Sequence, residues 1–97
     1  MKKLNLLNIS VWQLRLNKIE KLFYNNEGVK SADKGKYNEA AAYFTKAISI
    51  TPDDSLSYFN RATVKVDLGD ILGAKLDFKL SESYQLSSIR YNKLEMN

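Results

Sequence analysis

Ninety-seven residues supply one small domain, and six Tyr, four Phe and one Trp give it enough apolar surface to order itself. The chain has no Cys and no His, which removes disulfides, thiolate nucleophiles, imidazole bases and the usual ligands of zinc, copper and non-haem iron. The net charge of +4 gathers at the N terminus, where Lys2, Lys3, Arg15, Lys18 and Lys21 face only Glu20, while the middle of the chain is nearly neutral.

The first segment, residues 1–22, reads as a basic amphipathic helix. Trp12, Leu16, Ile19 and Phe23 recur at spacings of four, three and four, Leu7, Val11 and Leu14 form a neighbouring ridge, and no Gly or Pro occurs before Gly28. Ser10 is placed to cap a helix starting near Val11 and able to run on into the next one. Leu4, Leu6, Ile9, Val11, Leu14 and Leu16 alternate partly like a strand, but the phase slips at Leu7 and no second strand candidate exists to pair with it. As a signal peptide the segment fits poorly, because Asn5, Asn8 and Ser10 interrupt the apolar stretch and no small-x-small site follows. The expected compartment is therefore the cytoplasm, with export as the alternative. No apolar run approaches the length of a bilayer span.

From Tyr24 onward the chain repeats itself at an offset of 34 residues. Tyr24 pairs with Tyr58, Asn26 with Asn60, Gly28 with Ala62, Gly35 with Gly69, Ala40 with Ala74 and Phe44 with Phe78. Each unit reads as two helices: Gly35 and Gly69 supply the positive φ that closes the first, and helical periodicity resumes at once. In the second helix of the first unit, Ala40, Phe44, Ala47 and Ile48 make one apolar stripe, ended by Pro52, while Asp53, Asp54 and Ser55 offer caps for the next helix. The small residues Gly28, Ala40, Ala47, Ala62 and Ala74 mark close helix approaches, with Tyr24, Phe44, Tyr58 and Phe78 filling the gaps between. A generic bundle with accidental likeness is the alternative, and six paired positions with two glycine turns and a placed Pro argue against it.

This period, with Ala-x3-Phe-x2-Ala in the second helix and a closing Pro, resembles the tetratricopeptide repeat family over about residues 22–86. The first unit matches well through Tyr37, Ala40, Phe44, Ala47 and Pro52. The second departs: Ile71 stands for the usual Tyr, Ser81 for Ala and Leu86 for Pro, so its last helix is free to run longer. Ser31 and Lys65 occupy sites where the family carries a large apolar residue, and Glu27 a site where Leu is common, all of which weaken the interior. The resemblance implies an all-α fold of helical hairpin repeats, 24–57 and 58–86, in a right-handed superhelical stack with an extra N-terminal helix. Residues 87–97, with Leu86, Ile89, Tyr91 and Leu94 nearby, read as a short cap on the second repeat or a frayed tail.

The resemblance also implies a concave groove lined by Asn25, Asn26, Val29 and Ala32 in the first unit and by Phe59, Asn60, Thr63 and Val66 in the second. Asn amides there could fix the backbone of an extended peptide, and Val29, Phe59 and Val66 could hold its side chains. One branch of the family grips a chaperone's C-terminal carboxylate with a Lys/Asn/Asn/Lys/Arg clamp. Here Asn25 and Val29 fall on its first Lys and first Asn, only Asn60 matches, and a chaperone tail is not the expected partner. The expected function is a non-catalytic adaptor that binds a protein or peptide, with self-association as a homodimer through the N-terminal helix and repeat faces as the alternative. Docking of the basic segment on a membrane surface is less favoured, and nucleic acid less again. No cofactor or metal is expected. Asp53-Asp54 reads as capping, and Lys34-Gly35-Lys36 lacks the glycine and hydroxyl of a phosphate loop.

Overall fold

A computed structural model describes residues 10–95, and the described residues form four α-helices: α1 (Val11–Asp33), α2 (Tyr37–Ile50), α3 (Ser55–Asp67) and α4 (Ile71–Glu95). Lys2, Lys3, the residues expected to begin the N-terminal helix, and the last two residues lie outside that range. The fold is all-α, two helical hairpins laid side by side, with α1 on α2, α3 on α4, and α2 and α3 forming the junction.

The turns within the hairpins share two backbone hydrogen bonds at equivalent positions. Lys36 N donates to Ser31 O and Gly35 N to Ala32 O, both at 2.9 Å, and 34 residues later Asp70 N donates to Lys65 O at 2.8 Å and Gly69 N to Val66 O at 3.0 Å. This satisfies the orphan carbonyls at the helix end and requires the left-handed φ of +75° at Gly35 and +83° at Gly69. Between the hairpins, α2 stops two residues before Pro52, and Asp54 caps α3 by accepting from Ser57 N at 3.0 Å.

Both outer helices are longer than their counterparts. Ser10 Oγ accepts from Gln13 N at 3.3 Å and starts α1, which runs unbroken from the basic segment into the first repeat helix. At the other end nothing stops α4 at Leu86, so residues 85–95 continue it and form no separate cap over the second repeat. The expected capping helix is thus corrected: with neither Pro nor Gly after Gly73, the helix has no reason to break and turn back.

The core sits between the hairpins. Ala40, Phe44, Ala47, Tyr58, Ala62, Val64 and Ala74 are buried, and a Cβ at Gly28 would overlap the Phe44 ring, so the glycine lets that ring lie on the α1 backbone. Phe78 differs from its counterpart Phe44. It remains 37% exposed and packs edge-on against Phe59, with ring centroids 5.4 Å apart, because no described helix lies over it. Its expected place among the buried gap-fillers is corrected accordingly.

Candidate protein-interaction surface

The first helix of each hairpin carries a stripe of uncovered side chains. On α1 these are Asn26 and Val29, and on α3 Phe59, Thr63 and Val66, which follow one another at spacings of four and three. Phe59 is 51% exposed, and the Thr63 hydroxyl donates back to the Phe59 carbonyl at 2.9 Å, leaving its methyl outward. Ala32 is half-buried and packs against the core cluster of Ala40, Phe44 and Val64.

The seam that holds the two stripes side by side is polar. Asn60 Nδ2 donates to Asn25 Oδ1 at 3.3 Å, Asn25 Nδ2 to Ser57 Oγ at 2.9 Å, and Ser57 Oγ to Asp54 Oδ2 at 2.5 Å. Lys21 Nζ closes the chain on Asp54 Oδ1 at 3.0 Å. Burial opposes ionisation of Asp54, but the hydrogen bonds from Ser57 and the Lys21 ammonium outweigh it and hold the carboxyl below its ordinary value. One sequence expectation fails here. Asn25 is 3% exposed and its amide is spent on Ser57 and Asn60, so it spaces α1 from α3 and presents nothing to a peptide. Asn60 is half-buried, with its amide engaged in the same seam.

A second polar cluster lies inside the α3/α4 hairpin. Asp77 is 2% exposed, takes Arg61 in a two-pronged pair (Nε to Oδ2 2.7 Å, Nη2 to Oδ1 2.9 Å), and accepts Lys65 Nζ at 3.0 Å. Burial pushes the Asp77 carboxyl up, but the hydrogen bonds and charges of Arg61 and Lys65 prevail, and it stays below the usual carboxylate value. In the first hairpin the counterpart of Lys65 is Ser31, also buried, whose hydroxyl donates to Glu39 Oε2 at 2.6 Å. The apparent defects at Ser31 and Lys65 are therefore halves of polar pairs. The signal was present in the sequence as Asp77 on the apolar stripe of the last helix, three residues after Ala74.

The cluster is structural in its geometry, because the Asp77 carboxylate is taken up by Arg61 and Lys65 within the hairpin. Among the described residues no group of three or more His, Cys, Asp or Glu is arranged to hold a metal, and no helix is long and apolar enough to cross a membrane.

Comparison with known proteins agrees with this architecture. The family model described as tetratricopeptide repeat matches residues 22–54. A zebrafish (Danio rerio) protein named tetratricopeptide repeat protein 36 is 42% identical over 53 residues, which cover 55% of this chain and 28% of that protein. The chain thus spans less than a third of that relative's length, and no solved structure matches it. Residues 22–54 thus match the tetratricopeptide repeat family, and the second hairpin, whose turn repeats two of the first turn's hydrogen bonds, has the same helix-turn-helix build.

Proposed function

We propose that this chain is a non-catalytic protein-binding module whose α1/α3 face takes an extended peptide or a single helix from a partner. The family mediates protein–protein interaction in general, and the observation that supports a groove here is the uncovered stripe Phe59, Thr63 and Val66 beside Asn26 and Val29. Phe59, set edge-on against Phe78, is a rigid aromatic of the kind that anchors interfaces at small entropic cost. Asn26 is the exposed amide beside it, which replaces Asn25 in that role. A panel of random peptides displayed on phage supplies the test. Peptides selected by the wild-type chain should lose about tenfold or more in affinity with Val66→Asp or Phe59→Ala while thermal unfolding stays in place; selected peptides that bind both variants at full strength would sink the reading.

A second reading, self-association, is supported by the row of exposed apolar residues along the N-terminal half of α1, including Trp12, Leu16, Ile19 and Phe23. In the monomer α1 does not touch α4, and nothing else described covers that row.

A further inference from the structure

We propose that copies of this chain stack head to tail, the outer side of α1 in one copy seated on the outer side of α4 in the next, so that the repeat array continues across the boundary. The inference rests on the self-association reading and gives it a geometry. Its template is the junction already inside the molecule, where α3 packs on α2 and runs beside α1. Because the chain repeats every 34 residues, each contact in that junction names the pair that a second copy would bring together.

Three such translations are favourable. Asn25 meets Ser57 across the internal seam at 2.9 Å; shifted by one repeat, this becomes Phe59 of one copy against Phe23 of the next. A polar pair is replaced by an aromatic pair, and both rings are about half exposed in the single chain. Arg61 meets Thr45 at 3.1 Å; its translation sets Glu27 opposite Lys79, opposite charges at the junction. The third concerns length. α3 opens at Ser55, equivalent to Lys21, so α1 is longer by residues 11–20. α2 closes at Ile50, equivalent to Tyr84, so α4 is longer by residues 85–95. In the same antiparallel register these two extensions, about three turns each, lie alongside one another, with Leu86 beside Ile19 and Ile89 beside Leu16.

Both extensions carry large apolar side chains that no described residue covers, and each could cover those of the other. One pair opposes the contact: Lys30 and Lys75, exposed in the single chain, take the places of the core residues Val64 and Ala41 of the internal junction, and their repulsion makes the association weak and strengthened by salt. The surface used on one copy differs from that used on the other, so the contact is heterologous and, unless the rotation closes a ring, open-ended. Val29, Thr63 and Val66 stay outside it, so that part of the proposed peptide groove would lengthen with each copy, while Phe59 would pass from groove to junction.

The test is light-scattering mass on the intact chain across a concentration series, with Phe23→Asp to block the α1 side and Leu86→Asp to block the α4 side. Circular dichroism checks that both variants keep their helices, and Leu16→Asp with Ile89→Asp serves as a second pair if either does not. The expected result is a wild-type mass that climbs past dimer, monomeric variants when each is alone, and a 1:1 dimer that grows no further when the two are mixed. Reversing the charge with Glu27→Lys should weaken stacking about threefold, and adding Lys79→Glu to the same chain should restore it. A Leu86→Asp chain that still dimerises alone while Phe23→Asp does not would overturn the head-to-tail arrangement in favour of a symmetric α1 pair. A wild-type monomer at every concentration would overturn self-association altogether.

Discussion

Asp77 shows how a single residue can look like a fault in the pattern and act as a strut. Its carboxylate is fully enclosed, and the two cations that hold it reach it from α3 across the hairpin, so it ties α4 to α3 where the first hairpin uses aromatic packing. Removing the carboxylate leaves Arg61 and Lys65 unpaired but still partly solvated. Asp77→Ala should therefore cost about 2 kcal/mol, less than the 3–5 typical when a wholly buried charge is stranded, as read from denaturant unfolding. The pH response follows from the same geometry. Asp54 and Asp77 both titrate below their ordinary value in the folded chain, so their contribution is fully present above the unfolded value of about 4 and is lost as pH falls through the folded values. The thermal midpoint should drop as pH falls below about 4, and more shallowly in Asp77→Asn; parallel acid profiles for the two proteins would refute the assignment. Gly28 is the other exacting position. Its replacement by Ala should displace the Phe44 ring and cost about 1–3 kcal/mol, whereas Ala at exposed helix positions elsewhere would help.

At the scale of the helices, stops and the lack of them decide the shape. Gly35 and Gly69 both hold a left-handed backbone with open space around the missing Cβ. Gly→Ala at either should cost about 1–2 kcal/mol through conformation alone, and a substitution that left stability unchanged would show that the turn relaxes to another form. α4 illustrates the converse. Where the first hairpin ends on Pro52, the second has Leu86, and its helix proceeds for the remainder of the described chain. Leu86→Pro should remove about ten residues of helix from the far-ultraviolet signal while leaving the core intact. The same substitution should abolish the concentration-dependent mass, because it deletes one side of the proposed stack. These features were legible in the sequence because each depends on a residue and its near neighbours: a glycine takes positive φ, a proline ends a helix, an aspartate caps the next one.

For the whole molecule the relevant fact is that two hairpins leave two open ends. The internal repeat boundary buries one face of α2 against α3, and the corresponding faces on α1 and α4 have none of the described residues upon them. The proposed groove and the proposed stacking ends overlap only at Phe59, so variants at Val29 or Val66 should lose peptide without changing mass, and variants at Leu86 should lose mass without losing peptide. By itself the sequence determined the all-α class, the 34-residue unit, both glycine turns and the Pro52 stop, because these follow from local conformational preference and a period along one chain. Only the tertiary structure decided that Asn25 is inside and Asn26 outside, that Ser31 and Lys65 have partners in Glu39 and Asp77, and that Phe78 is uncovered although Phe44 is buried. Those outcomes depend on which residue of a neighbouring helix arrives opposite, and at Phe78 on no described helix lying over it, which a period read along the chain does not contain.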